Sequence, residues 1–231
     1  VALVPNARGA QDAIAAHADE IATVVSASES HNRKNLNRSV EETLDETVEI
    51  ARLATASGTG WSAYISTAFG CPYEGEIPVD RVTEIAERLV ALGADQIGLG
   101  DTTGMAHPVL VDALITSFRS RLQDAALRFH FHDTRGAGIA NALAALIRGE
   151  WRFDASIGGL GGCPYAPGAG GNVATEDLVH TLHEMGVETG IDLKALIEVA
   201  KHAEALAGRE LPGKVKVAGR REDLVAAHAG E

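Results

Sequence analysis

Cysteine is scarce in this 231-residue chain: only Cys71 and Cys163 are present. Two thiols cannot build a disulfide framework, so a reducing, cytoplasmic setting is expected. Basic side chains are outnumbered 20 to 32 by acidic ones, a net charge of −12 that argues against wrapping a phosphate backbone, and no nucleic-acid partner is expected. No uninterrupted apolar run approaches the roughly 18 residues a membrane span needs. No basic-then-apolar leader opens the chain either, so no membrane association is expected. What is present is apolar bulk, 45% of residues, enough for a sizeable core. The first residue is valine rather than methionine, which predicts a processed or partial chain.

No linker rich in proline, glycine or serine divides the sequence. Short β-branched runs alternate instead with amphipathic helical stretches. Strands are predicted at Val1–Val4, Ile21–Ser26, Ser62–Thr67, Gln96–Leu99, Leu127–Phe131 and Phe153–Ile157. Ser39 followed by Glu42 reads as a capping box, with Leu44, Val48 and Ala51 forming the apolar face behind it. A second stripe runs through Val82, Ile85, Leu89 and Leu92 to a stop at Gly93, and Pro108 suits a first helical turn. Two further helices, Thr175–Met185 and Asp192–Ala207, follow the last strand. Residues 1–208 thus read as one domain and 209–231 as a tail, whose Lys214, Lys216, Arg220 and Arg221 read as solvated surface.

Strict alternation of strand and helix predicts an α/β fold with a parallel sheet, either open or closed into a (β/α)8 barrel. An open dinucleotide fold wants G-x-G-x-x-G after its first strand, whereas here that strand runs into Pro5-Asn6-Ala7-Arg8-Gly9. The barrel is therefore preferred, with six of its eight βα units visible plus C-terminal helices.

Arg128-Phe129-His130-Phe131-His132-Asp133 carries the sharpest chemical signal. Alternation along a strand aims His130 and His132 to one side and the two phenylalanines to the other. At the C-terminal rim of a barrel, H-x-H suits a metal; the alternative is two polar side chains satisfied by neighbours. Seven glycines fall between positions 158 and 171, too many for helix or ladder, so a loop over the barrel mouth is expected. Within it, Cys163 is a candidate acid, base or nucleophile, or else a small buried apolar residue. Asn172 offers an amide oxygen to a hard cation. Asp101, at the end of the fourth strand, reads equally as a proton-transfer group or a turn residue. Glu29 and Tyr64 hold similar strand-end positions. His17, His31, His107, His180, His183, His202 and His228 show no paired spacing on a strand and receive no role.

Three blocks, Gly70-Cys71-Pro72-Tyr73-Glu74-Gly75, His130-Phe131-His132-Asp133-Thr134 and the Gly158–Asn172 loop, resemble the 3-hydroxy-3-methylglutaryl-CoA lyase family of metal-dependent barrels. Weaker matches at Val4-Pro5-Asn6, Ser28-Glu29, Lys34-Asn35-Leu36-Asn37 and Gly100-Asp101-Thr102 extend the likeness to about Ala207. The resemblance implies retro-Claisen cleavage of 3-hydroxy-3-methylglutaryl-CoA to acetyl-CoA and acetoacetate, a step of leucine degradation. It implies Mg²⁺ or Mn²⁺ held by His130, His132 and Asn172, an acyl-CoA substrate and a homodimer. Cys163, His130 and Asp101 would then assist proton transfer, and Tyr64 would line the substrate pocket.

The family's first strand bears Arg-Asp-Gly-Leu-Gln, which supplies a further metal ligand and an enolate-stabilising arginine, yet this chain contains no Arg-Asp dipeptide. Two upstream βα units, about 60 residues at barrel-typical size, are therefore expected, and the 231 residues alone are expected to be nearly inactive. Gly98 stands where the resemblance implies a serine, an exchange expected to loosen the substrate fit. The alternatives are an aldolase or acyl-CoA synthase on the same barrel, or a non-catalytic truncated paralogue.

Overall fold

The computed structural model describes residues 1–162 and 171–223. Six strands, β1 (Ala2–Leu3), β2 (Glu20–Ser26), β3 (Gly60–Ser66), β4 (Gln96–Gly100), β5 (Leu127–His130) and β6 (Phe153–Asp154), form one sheet in chain order, every neighbouring pair parallel. Parallel neighbours cannot be joined by a tight turn, so helices carry the chain back. These are α1 (Ala7–Ala15), α2 (Glu29–Leu36), α3 (Val40–Ser57), α4 (Val79–Ala91), α5 (Pro108–Arg121) and α6 (Gly138–Ile147). A 3₁₀ turn (Ile157–Gly159), α7 (Thr175–Glu184), α8 (Leu193–Ala207) and the short α9 (Val215–Ala218) follow β6. The sheet curls into a half-barrel, an α/β architecture that bears out the partial-barrel expectation.

Strand alternation sorts the side chains. Trp61, Ala63 and Ile65 of β3, Ile97 and Leu99 of β4, and Leu127 and Phe129 of β5 are buried in the outer layer with Ile85, Leu89, Leu114 and Phe118 of the helices. The inner face keeps polar residues: Glu20, Ser62, Tyr64, Arg128 and His130.

Local signals hold closely. Ser39 Oγ accepts the Glu42 N–H at 3.0 Å while Glu42 Oε2 accepts the Ser39 N–H at 2.7 Å, the reciprocal capping box expected. Replacing Ser39 with Ala is expected to destabilise the fold by about 1 kcal/mol. Urea unfolding checks this through a lower midpoint at unchanged slope, and an unmoved midpoint would count against the box.

Two readings need correction. Val48 is half exposed, and the inward place in α3 belongs to Thr47, whose hydroxyl donates to the Thr43 carbonyl at 2.8 Å. A β-branched hydroxyl that satisfies itself on its own helix can be buried as readily as a valine. In the tail, Leu211 and Val215 are buried, and Val215 packs with Val179, Leu193 and Ile197. Lys216 is buried with them and ion-paired to Glu204, so it is not solvated surface, whereas Lys214 is largely exposed beside Asp133 and Asp177. A buried ammonium persists only with such a partner. Among the described residues no helix is long and apolar enough to cross a membrane.

Candidate active site

His130 ends β5 and His132 lies two residues beyond it, their ring centroids 5.3 Å apart. Phe129 and Phe131 are buried on the opposite side with rings 5.6 Å apart, so the alternation argument for the H-x-H pair holds. Burial disfavours the charged imidazoles: His132 is pushed down to about 4, with His130 adding to the effect, and His130 is lowered despite the opposing charge of Asp154. Both rings are therefore neutral near neutral pH, the form that ligates metals.

Asn172 reaches this pair from the far end of the glycine loop. Its backbone bridges His132, and its Nδ2 donates to the Leu160 carbonyl at 2.7 Å. Asn172 Oδ1 is buried against His130 without a well-formed hydrogen bond, and His132 Nδ1 is buried without a partner as well. Leaving two such buried polar atoms unsatisfied is costly unless a ligand takes them up. A divalent cation fits, since an imidazole nitrogen and an amide oxygen are both ligand atoms for it. Among the described residues no group of three or more His, Cys, Asp and Glu forms a complete cage.

The glycine count of this loop has a steric cause. A Cβ on Gly171 would lie 1.7 Å from the Gly159 carbonyl oxygen. One on Gly161, at φ +104°, would lie 2.5 Å from Asn172 Nδ2. The two ends of the loop thus touch through backbone, and Glu176 Oε2 ties their base by accepting the Gly158 N–H at 2.9 Å. Cys163 lies outside the described residues.

Asp101 sits behind this centre. Its Oδ1 accepts the N–H groups of Met105 at 2.7 Å and Ala106 at 3.0 Å, while Oδ2 is buried without a partner. Burial raises its pKa to about 6 against those bonds, the backbone N–H of His132 and the charge of Arg135. One oxygen shapes the turn, as the turn reading expects, and the other makes no hydrogen bond. Glu29 proves to be the first residue of α2, where its Oε2 accepts the Val40 N–H at 2.9 Å, a structural contact.

Below the histidines lies a layer that sequence reasoning missed. Tyr64 of β3 reaches across β4 and β5, its hydroxyl donating to Asp154 Oδ2 of β6 at 2.8 Å and accepting from Arg128 Nη1 at 3.1 Å. Arg128 also lies 3.7 Å from Glu20 and 4.0 Å from Asp154. Desolvation holds the phenol protonated, its pKa raised to about 12. Asp154 Oδ2 stands 3.8 Å from His130 Nδ1 and so links this layer to the histidine pair. Gly98 makes the reach possible: a Cβ there would come within 2.3 Å of the Tyr64 ring. The space freed by glycine is filled by tyrosine and is not left to a substrate, which corrects the expected loosening.

A cavity of about 580 Å³ opens above this layer, lined by His130, His132, Tyr64 and Asp154 on one side and by Val1, Leu3, His31 and Asn35 on the other. Asp101 is not among its lining residues, although its neighbours Gly100 and Thr102 are. His31 carried no signal in sequence because it lies on a short helix without a paired histidine.

The sequence pattern of the HMGL-like family matches residues 1–202. Hydroxymethylglutaryl-CoA lyase of Bacillus subtilis is 43% identical over 213 residues, 92% of this chain and 71% of that protein. (R)-citramalyl-CoA lyase of Chloroflexus aurantiacus is 46% identical over 218 residues, 94% of this chain and 69% of that protein. In structure, an HMG-CoA lyase from Acinetobacter baumannii solved with coenzyme A and 3-methylmalate superposes with a TM-score of 0.90 at 43% identity, covering 96% of this chain and 72% of that one. These matches span the histidine pair, the glycine loop and the layer beneath them, and the chain belongs to the HMGL-like family.

Proposed function

We propose that this chain is a carbon–carbon lyase of the hydroxymethylglutaryl-CoA lyase type, acting on an acyl-CoA in the cavity above Tyr64. The observation that carries the reading is the pair of buried ligand atoms without a well-formed hydrogen bond, His132 Nδ1 and Asn172 Oδ1, beside His130 on the cavity wall. His130, His132 and Asn172 would hold Mg²⁺ or Mn²⁺. When bound, such a cation polarises the substrate's hydroxyl and carbonyl oxygens.

Cleavage of 3-hydroxy-3-methylglutaryl-CoA breaks one bond, C2–C3. The tertiary hydroxyl loses its proton and becomes the ketone of acetoacetate, the bonding pair passes to C2 as the thioester enolate, and a proton delivered to C2 completes acetyl-CoA. The chain's own groups fit these proton movements. His130, neutral and ligating through one nitrogen, would keep its proton on the other, from which it can donate toward developing negative charge while the nearby Asp154 carboxylate orients the ring. Asp101, with a raised pKa and an uncommitted Oδ2, can share a proton from behind, and Cys163 in the loop is assigned the return of a proton to C2. Tyr64, held protonated, orients the acyl group from below. A cytoplasmic homodimer is part of the same reading.

Product identity is the test, with Mn²⁺ present and either thioester at equal concentration. Acetoacetate release from 3-hydroxy-3-methylglutaryl-CoA is expected to exceed pyruvate release from citramalyl-CoA. Because this chain contains no Arg-Asp pair, both rates are expected to fall roughly 10²–10³ below those of a relative that has one. Faster pyruvate release would transfer the assignment to the citramalyl-CoA reaction, to which the 46% identical relative is dedicated by name.

A further inference from the structure

His31 is buried, lines the cavity and takes no part in the chemistry above. Its Nδ1 lies 3.2 Å from Ser26 Oγ. Ser26 Oγ is 2.7 Å from Thr67 Oγ1, and the single proton of Thr67 is directed to the Ser66 carbonyl at 2.7 Å. The direction of the whole chain follows from that last bond. With the Thr67 proton on that carbonyl, Thr67 accepts from Ser26, the Ser26 proton points to Thr67 and Ser26 accepts from His31. Nδ1 therefore carries the ring proton, and Nε2 is a bare acceptor. Among the described residues no group fills that acceptor, for Nε2 is buried without a hydrogen-bond partner. Desolvation keeps the ring neutral despite the charge of Glu74 nearby.

A neutral acceptor selects its ligand by exclusion. Carboxylate and phosphate oxygens are themselves acceptors and are repelled by a bare lone pair. An amide N–H or a hydroxyl is attracted. His31 follows β2, three strand spacings from β5, which is about 14 Å measured along the sheet. A small acyl group held at His130 and His132 does not extend that far, and its hydroxyl is consumed in the reaction there. In an acyl-CoA the neutral donors at that remove are the amide N–H groups of the pantetheine arm.

Resting on the acyl-CoA reading above, we propose that His31 is a substrate-positioning residue whose Nε2 accepts a hydrogen bond from a pantetheine amide, with Ser26 and Thr67 fixing the tautomer that makes this possible.

Calorimetric binding of coenzyme A itself to the full chain tests this without any turnover. His31→Phe, which keeps a ring but removes the acceptor, is expected to weaken binding about tenfold. His31→Gln, whose side-chain oxygen can still accept, is expected to stay within about threefold of the unaltered chain. Equal binding by His31→Phe would overturn the inference, as would an equal loss in His31→Gln, which would mark a packing role. Should the phenylalanine variant fail to fold, Ser26→Ala releases Nδ1 with the imidazole in place and is expected to weaken binding about threefold; unchanged binding would again overturn the assignment. Failure of the unaltered chain to bind coenzyme A would remove the acyl-CoA reading together with this one.

Discussion

His132→Ala is expected to abolish stoichiometric Mn²⁺ binding, whether followed by calorimetry or by the loss of the free-ion electron paramagnetic resonance signal. The proposed site draws three ligands from the described residues, all uncharged: His130, His132 and Asn172. Losing an imidazole leaves two, too few to displace the water shell of a hard cation. Mn²⁺ binding unchanged in the variant would sink the site. The same substitution has a metal-free signature. The unfolded imidazole protonates near pH 6.5, whereas the folded His132 resists until about pH 4. Over that window the unfolded state binds more protons, so His132 makes the chain lose stability as pH falls and regain it as pH rises. Asp101 works in the opposite sense. Its folded carboxyl titrates near 6 against an ordinary value of 3.8, so its ionisation costs stability as pH rises through that range. The two slopes offset each other in the unaltered chain, and removing His132 is expected to tilt the stability profile toward acid. A profile parallel to that of the unaltered chain between pH 4 and 6.5 would show that His132 is not buried as described.

Gly98→Ser is the other substitution with a large expected effect. The new Cβ would stand 2.3 Å from Tyr64 Cδ1, where ordinary contact begins near 3.4 Å, so the ring must shift by about 1 Å or β4 must yield. Either movement strains the phenol's bonds to Asp154 and Arg128, and overpacking of this kind costs about 1–3 kcal/mol. If the clash is the cause, Gly98→Ser in a Tyr64→Ala background should cost little, and the cycle should show a coupling of comparable size. Additive losses would remove the explanation. Affinity for the acyl-CoA is expected to fall along with stability, because a displaced ring enters the cavity.

The architecture was largely legible before any coordinates, because parallel strands buried on one face by helices advertise themselves as β-branched runs. Ile21–Ser26 and Gln96–Leu99 were found within a residue or so at each end. The H-x-H pair was legible for the same reason, since a period of two is enough to aim two side chains together. The layer beneath was not. Nothing local in Arg128 or Asp154 says that a tyrosine 64 or 90 residues away will reach them. That contact depends on a glycine in a third strand, and no periodicity reports a side chain that crosses two neighbours. His31 was hidden for a different reason: its importance lies in the partner its Nε2 lacks, a property of packing. Lys216 resembled its solvated neighbours until Glu204 was seen beside it.

The order of the strands bears on how the chain acquires its shape. Each strand pairs with its predecessor, and the paired residues lie between 19 positions apart, Ala2 with Ile21, and 40 apart, Ile21 with Trp61. No pairing in the described sheet joins distant parts of the sequence. Loop-closure entropy is therefore met in small, similar instalments, and a polypeptide leaving the ribosome can lay down each strand against one already made. The growing edge is exposed at every stage, so the vulnerable moment for mispairing recurs with each described strand, briefly each time, and the helix that follows shields its outer face before the next arrives.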